Sequence, residues 1–250
     1  MSGIASLLRS AFALGLLLTP VFGQDMMQHV DLTSPAMTEA EMTRAEVEAV
    51  LAAATPAQPA DFTGKRLNGL DLSGLDFSGA QFRAARLNKT RFTGANLDGA
   101  VLDQAWLLDA DLRNASLKEA SLFAAQMRRA RLDGTELIGA RIVADMTQAN
   151  LTGASLAGAR LGADMKNQSM GLIRAVLRSA DLTGADLAGA DLSYADLEFA
   201  KLAGADLSRA SLRRAALAGA DFSGASLDGT DFTDADTRGA KNLERPGAAN

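Results

Sequence analysis

The 250-residue chain has a formal charge of -5, one His, one Trp, one Tyr and no Cys, and is 48% hydrophobic but only 5% aromatic. Zero cysteine excludes disulfides, thiol chemistry and lipid attachment to cysteine, and the negative net charge disfavours direct nucleic-acid binding. One elongated domain without covalent cross-links suits this composition.

At the N-terminus, Arg9 precedes an apolar stretch from Ala11 to Leu18, followed by Thr19-Pro20 and the small-residue pattern Val21-Phe22-Gly23. This reads as a secretory signal peptide over 1–23, with a mature start near Gln24 and a periplasmic or secreted location. The stretch falls short of the roughly 20 apolar residues of a comfortable membrane span. No transmembrane domain then remains after cleavage; an uncleaved anchor is the alternative.

Residues 24–60 read as a linker and a short helix. Thr43-Arg44-Ala45-Glu46 has the form of a capping box, in which the Thr hydroxyl and the Glu carboxylate each answer a free backbone N–H. Val47, Val50, Leu51 and Ala54 share one face of the helix, and Pro56 and Pro59 stop it. Such a face is expected to cover the open apolar end of the domain that begins at Asp61. A free helix in a tether is the other reading.

From Asp61 to Asp236 the chain repeats every five residues, as in Ala180-Asp181-Leu182-Thr183-Gly184 followed by Ala185-Asp186-Leu187-Ala188-Gly189. Five residues overshoot a helical turn by about 140° and would smear the leucines around a helix. In a continuous strand, an odd period flips them between faces. A short extended segment fits, with Ala and Leu inward and Asp outward, followed by a corner that resets the alternation. The frequent Gly suits that corner. Leu67, Leu72, Phe77, Phe82, Leu87, Phe92, Leu97 and Leu102 keep register, as a linker would not.

The motif Ala-Asp/Asn-Leu/Phe-Ser/Thr-Gly, near-complete at Ala95-Asn96-Leu97-Asp98-Gly99 and full at Ala220-Asp221-Phe222-Ser223-Gly224, resembles the pentapeptide-repeat family. The match spans about two thirds of the chain, in about 35 repeats. The resemblance implies an all-β solenoid, a right-handed quadrilateral β-helix with four repeats per coil. About nine coils would stack at roughly 4.8 Å.

In such a coil, residues about twenty apart stack vertically. Arg66, Arg86, Trp106 and Gln126 then align on one side, with Arg128 and Arg129 close by, and Val101 and Phe123 come on the adjoining side. Val101, Trp106, Leu108 and Phe123 are apolar at positions expected to face solvent, with a basic rim, and are candidate partner-binding residues. Two short spacings, Ile142 to Met146 and Leu161 to Met165, are expected at one shared corner. Between Met165 and Leu177 the pattern dissolves, with about two extra residues expected to form a bulge or small loop. Lys166, Asn167, Gln168 and Arg174 are the candidates there; the alternative is a tolerated insertion with Met170, Leu172 and Ile173 folded into the core.

Charge divides along the repeats: twelve Lys/Arg against ten Asp/Glu from Asp61 to Arg141, and nine against thirteen from Ile142 to Arg238. Residues 237–250 form a polar tail with no apolar helix, so the last coils are a candidate homodimer edge. The only His, His29, lies outside the repeats, and no metal cluster, phosphate loop or nucleophile elbow is visible, so neither catalysis nor a cofactor is expected. The expected function is a non-catalytic scaffold or protein-binding module of the periplasm or cell envelope. The alternative implied by the resemblance is a DNA-mimicking modulator of a type II topoisomerase.

Overall fold

A five-residue side leaves room for one outward residue between two corners, so regular strands do not form; single parallel bridges stack instead. The computed structural model describes residues 30–164 and 173–243. Four parallel ladders run through them. Ladder 1 begins Asp61, Gln81, Val101, Ser121, Arg141 and ladder 2 begins Arg66, Arg86, Trp106, Gln126, Asp145. Ladders 3 and 4 start at Asp71 and Asp76. Backbone bonds link each level to the next, as where Phe82 N donates to Val101 O at 2.7 Å and Val101 N to Ala80 O at 2.9 Å.

On either side of each ladder residue, Ala and Leu point inward: Ala105, Leu107, Ala110 and Leu112 are all fully buried. The corner between them is a turn closed by Ala110 N donating to Leu107 O at 3.1 Å, with Asp109 at φ 56°. A positive φ at the third residue is the signature of a type II turn, which favours glycine there. Gly64 and Gly99 hold the equivalent place at φ 66° and 64°. Position-two Asp residues brace the same corners: Asp181 Oδ1 accepts from Thr183 N at 3.1 Å and from Thr183 Oγ1 at 2.6 Å. Phe62, Phe77, Phe82 and Phe92 fill the first two levels, Phe62 and Phe82 stacking at 5.1 Å between centroids.

Residues 31–54 fold back on the repeats. Helix α1 spans Pro35–Thr38 and α2 spans Arg44–Ala53. In α2 the capping box is made, Thr43 N donating to Glu46 Oε2 at 2.7 Å and Glu46 N to Thr43 Oγ1 at 3.3 Å. Val47 is fully buried in the core cluster, with Val50, Leu51 and Ala54 packed against it. Arg44 fixes the helix start to the first coil by donating to Asp71 O at 2.9 Å.

Two register expectations are corrected. Among the described residues, Arg141 to Asp145 is the one shortened side, the ladders there joining residues nineteen apart. At Leu161 no second short side follows: Leu161 and Ala163 still bond to the next level, and Arg160 pairs with Asp191, thirty-one residues on where twenty is the rule, so the insertion before Ala175 amounts to eleven residues and not two. Asp164 N donates to Ile173 O at 3.0 Å at its base, and Ala175 re-enters the core. Sequence spacing could not decide this, because Met165 stands at a plausible core distance from Leu161 in the sequence; Met165, Met170 and Leu172 lie outside the described residues.

Candidate functional site

The outward face of the first six levels carries the chain's unusual residues. Trp106 stands in ladder 2 between Arg86 and Gln126, and Val101 stands in ladder 1 between Gln81 and Ser121. Phe123 lies two residues beyond Ser121, around the corner from Trp106. All three apolar side chains are half-buried, so their backbones are held while part of each side chain meets solvent. The ring of Phe123 is covered by the Arg141 guanidinium, whose central carbon is 4.1 Å from the ring centroid. Arg141 also reaches Asp164, Nη2 to Oδ2 at 3.3 Å.

Leu108 is not part of this face: it is 5% exposed. The strap of residues 31–41 passes over it, and Leu32 and Met37 join Leu108, Lys89, Asp109 and Arg129 around a cavity of about 250 Å³. Two asparagines hold the strap in place. Asn68 Nδ2 donates to Glu39 O at 3.0 Å and Asn88 Nδ2 to Met37 O at 3.1 Å. Their Oδ1 atoms accept from Asn88 N and from Leu108 N, both at 3.0 Å, so the side chains extend the backbone ladder by two rungs. Sequence reasoning missed this strap. The available signal was Asn68 and Asn88, twenty apart and replacing the usual Ser or Thr.

Of the second candidate group, Lys166, Asn167 and Gln168 lie outside the described residues. Arg174 is described, and its Nη2 is 3.2 Å from Oδ2 of Asp196, which Arg178 also reaches at 2.8 Å. The Asp196 side chain is only 3% exposed, so this carboxylate is anchored by two arginines at the foot of the excursion. Arg174 thus pairs with this carboxylate while its own side chain stays partly exposed.

Beside the excursion, Arg141, Val143, Arg160, Gly162, Ala163, Asp164 and Asp191 line a cleft of about 370 Å³. Arg141 and Arg160 are ladder neighbours of like charge, an arrangement that repels unless answered. Asp164 answers Arg141, whereas Arg160 makes only a long contact from Nη2 to Gly139 O at 3.5 Å. Arg66 and Arg86 form a second like-charged pair, in which Glu41 of the strap answers Arg66 at 3.3 Å. Among the described residues no carboxylate lies within ion-pair distance of Arg86 or Arg160, and Nε of Arg86, like that of Arg66, is buried without a hydrogen-bond partner.

Among the described residues no helix is long and apolar enough to cross a membrane, and no group of three or more His, Cys, Asp or Glu is placed to hold a metal ion. The face itself presents half-buried apolar side chains and guanidinium groups on backbone held in the ladders.

A family model described as pentapeptide repeats matches in 8 copies over residues 60–94, 95–134, 110–142, 144–167, 172–209 and 205–241. No curated protein matches the chain in sequence. Among solved structures, HetL, a pentapeptide repeat protein involved in heterocyst differentiation regulation from the cyanobacterium Nostoc sp. strain PCC 7120, is 31% identical. That match covers 80% of this chain and 96% of HetL, with a TM-score of 0.44. Full-length QnrB1, a plasmid-mediated fluoroquinolone resistance protein, is 17% identical; its match covers 72% of this chain and 88% of QnrB1, with a TM-score of 0.59.

Proposed function

Since the chain belongs to the pentapeptide-repeat family, whose members fold as right-handed β-helix solenoids, we propose that it is a non-catalytic, exported scaffold that docks a protein partner on Val101, Trp106 and Phe123. Residues 1–23 serve as the export signal in this reading, and the partner belongs to the periplasm or cell envelope. The solenoid is four-sided, with α2 capping the apolar end of the first coil.

One observation carries the docking assignment. Trp106 and Val101 occupy outward ladder positions that elsewhere hold mostly Asp, Arg, Ser, Asn or Gln, and Phe123 joins them from the next level. An aromatic held half-exposed on a rigid backbone contributes contact area at little cost in conformational entropy, which is why such residues dominate interface energetics. Fusion of the full chain, and of a chain lacking 1–23, to a reporter active only outside the cytoplasm tests export. Activity should depend on 1–23, and equal activity from both fusions would refute it.

The second reading is modulation of a type II topoisomerase by DNA mimicry, favoured by the acidic balance of the repeats after Arg141. The likeness to QnrB1, at 17% identity, supports the shared fold and not a shared target. A cytoplasmic result from the fusion would promote this reading, with inhibition of supercoiling as its assay.

The last level offers a third contact. Ser226, Asp231, Asp236 and Lys241 end their ladders, and Leu227 and Phe232 lie beneath them. A homodimer through this edge would pair the open backbone groups and cover the apolar end. Sedimentation should reveal a dimer that Phe232→Arg converts to monomer; a wild-type monomer at high concentration would end the idea.

A further inference from the structure

Among the described arginines, Arg83, Arg86, Arg160 and Arg209 have no carboxylate within ion-pair distance, and of these only Arg86 and Arg160 occupy ladder positions. Arg86 sits one level before Trp106 in ladder 2, and Arg160 sits one level after Arg141 in ladder 1, bordering the cleft of about 370 Å³. Trp106, Val101 and Phe123 lie between them. At a level spacing of about 4.8 Å the two groups are about 20 Å apart along a diagonal that crosses one corner of the solenoid.

Other ladder cations stand beside an anion of the neighbouring level: Arg91 faces Asp71 at 3.3 Å, Lys201 faces Asp181 at 3.0 Å and Arg131 faces Asp111 at 3.8 Å. Even where like charges meet, one member of each pair is answered, Arg66 by Glu41 and Arg141 by Asp164. Asp191, the next residue along the ladder from Arg160, is turned elsewhere: its Oδ1 accepts from Ser193 N at 2.9 Å, and its Oδ2 closes over Gly162, where a Cβ would come within 2.6 Å.

We propose that this diagonal binds an extended peptide segment bearing a carboxylate at each end of a short apolar stretch, one carboxylate meeting Arg86 and the other Arg160, with the apolar residues on Trp106, Val101 and Phe123. The proposal rests on the docking reading above and specifies the chemistry of the partner. Guanidinium groups form short, charge-assisted bonds with carboxylates, and a partly desolvated site strengthens them. About 20 Å corresponds to about six residues of extended chain, so the two acids stand about six positions apart. A nucleic acid fits less well, because its phosphates recur every few ångströms and would need cations where the face is apolar.

Trp106 is the only tryptophan, so its emission reports on the site alone. The full chain is titrated with a synthetic peptide carrying Glu at its first and seventh positions and Leu, Val and Phe between, with the same peptide bearing Gln for Glu, and with single-stranded oligothymidylate. The Glu peptide should shift the emission saturably and bind about tenfold more tightly than the Gln peptide, and Arg86→Gln and Arg160→Gln should each weaken it about tenfold. Equal affinity for the Glu and Gln peptides, binding of neither, or arginine-dependent binding of the oligonucleotide in preference to the peptide would overturn the proposal. Calorimetry on Trp106→Ala separates the two levels of claim. If the Gln peptide binds as well as the Glu peptide and Trp106→Ala abolishes both, the docking face stands and the acidic segment falls. If Trp106→Ala changes nothing, the docking reading falls as well.

Discussion

At the scale of single residues, the corner position shows how a local rule is bent by its neighbours. Phe199 occupies a corner at φ 58° and is 61% exposed, its ring lying over Gly219 on the next level. A Cβ at Gly219 would come within 2.6 Å of the Phe199 ring, at a backbone φ of 70°. Gly219→Ala therefore combines left-handed backbone strain with displacement of the ring, and should cost about 1–2 kcal/mol in denaturant unfolding. In the background Phe199→Ala only the backbone part should remain, so the two substitutions should not be additive. The asparagine rungs are a second case. Asn88→Ala would leave Leu108 N–H and Met37 C=O without their partners, a cost of about 1–3 kcal/mol for an unmet group. Hydrogen exchange should show the loss first over residues 36–40 and at Leu108, with the middle of the repeats unchanged.

At the scale of elements, each level touches only the levels above and below it, so damage should stay local. Leu132 is fully buried in the middle of the repeats. Leu132→Ala should cost about 3 kcal/mol, within the range for buried leucines that leave a cavity. Native-state hydrogen exchange should place the loss in residues 112–151, with the first and last coils keeping their protection; uniform loss would mean that the repeats unfold as one unit. Thr90 and Thr135 follow the same logic at inward positions usually held by Ala. Each buries its hydroxyl by donating to the carbonyl of a residue twenty-three earlier, Leu67 and Leu112, at 2.8 Å.

At the scale of the whole molecule, acid should attack the C-terminal end. Asp231 is held down to about 2 by the Thr233 hydroxyl and N–H and by Arg213. Asp236 is held down to about 2 by Arg238. An unfolded Asp titrates near 3.9, so these groups favour the folded state above that pH. Their contribution fades as pH falls through about 4 toward 2. Both are half-exposed and salt-screened, so the effect is expected as early fraying of the last coils. Exchange protection over residues 226–241 should fall between about pH 4 and pH 2, ahead of the central levels. Unchanged protection at pH 2 would show that the carboxylates do not brace this end.

The five-residue period, with Leu or Phe recurring in register, was enough to read the solenoid and its core, because an inward position tolerates only apolar side chains of one size class and so repeats visibly. It also placed Arg66, Arg86, Trp106 and Gln126 in one ladder, since that comes from counting twenty residues. What counting could not reach was any contact between segments of different type. The burial of Leu108 depends on a strap from residues 31–41, the anchoring of Arg174 depends on Asp196 one level away, and the eleven-residue excursion is distinguishable from a bulge only by which ladder residues pair. Periodicity encodes what each residue does within its own coil. The tertiary structure decided which outward side chains are left for a partner, because that depends on what non-repeating segments cover and which charges they answer.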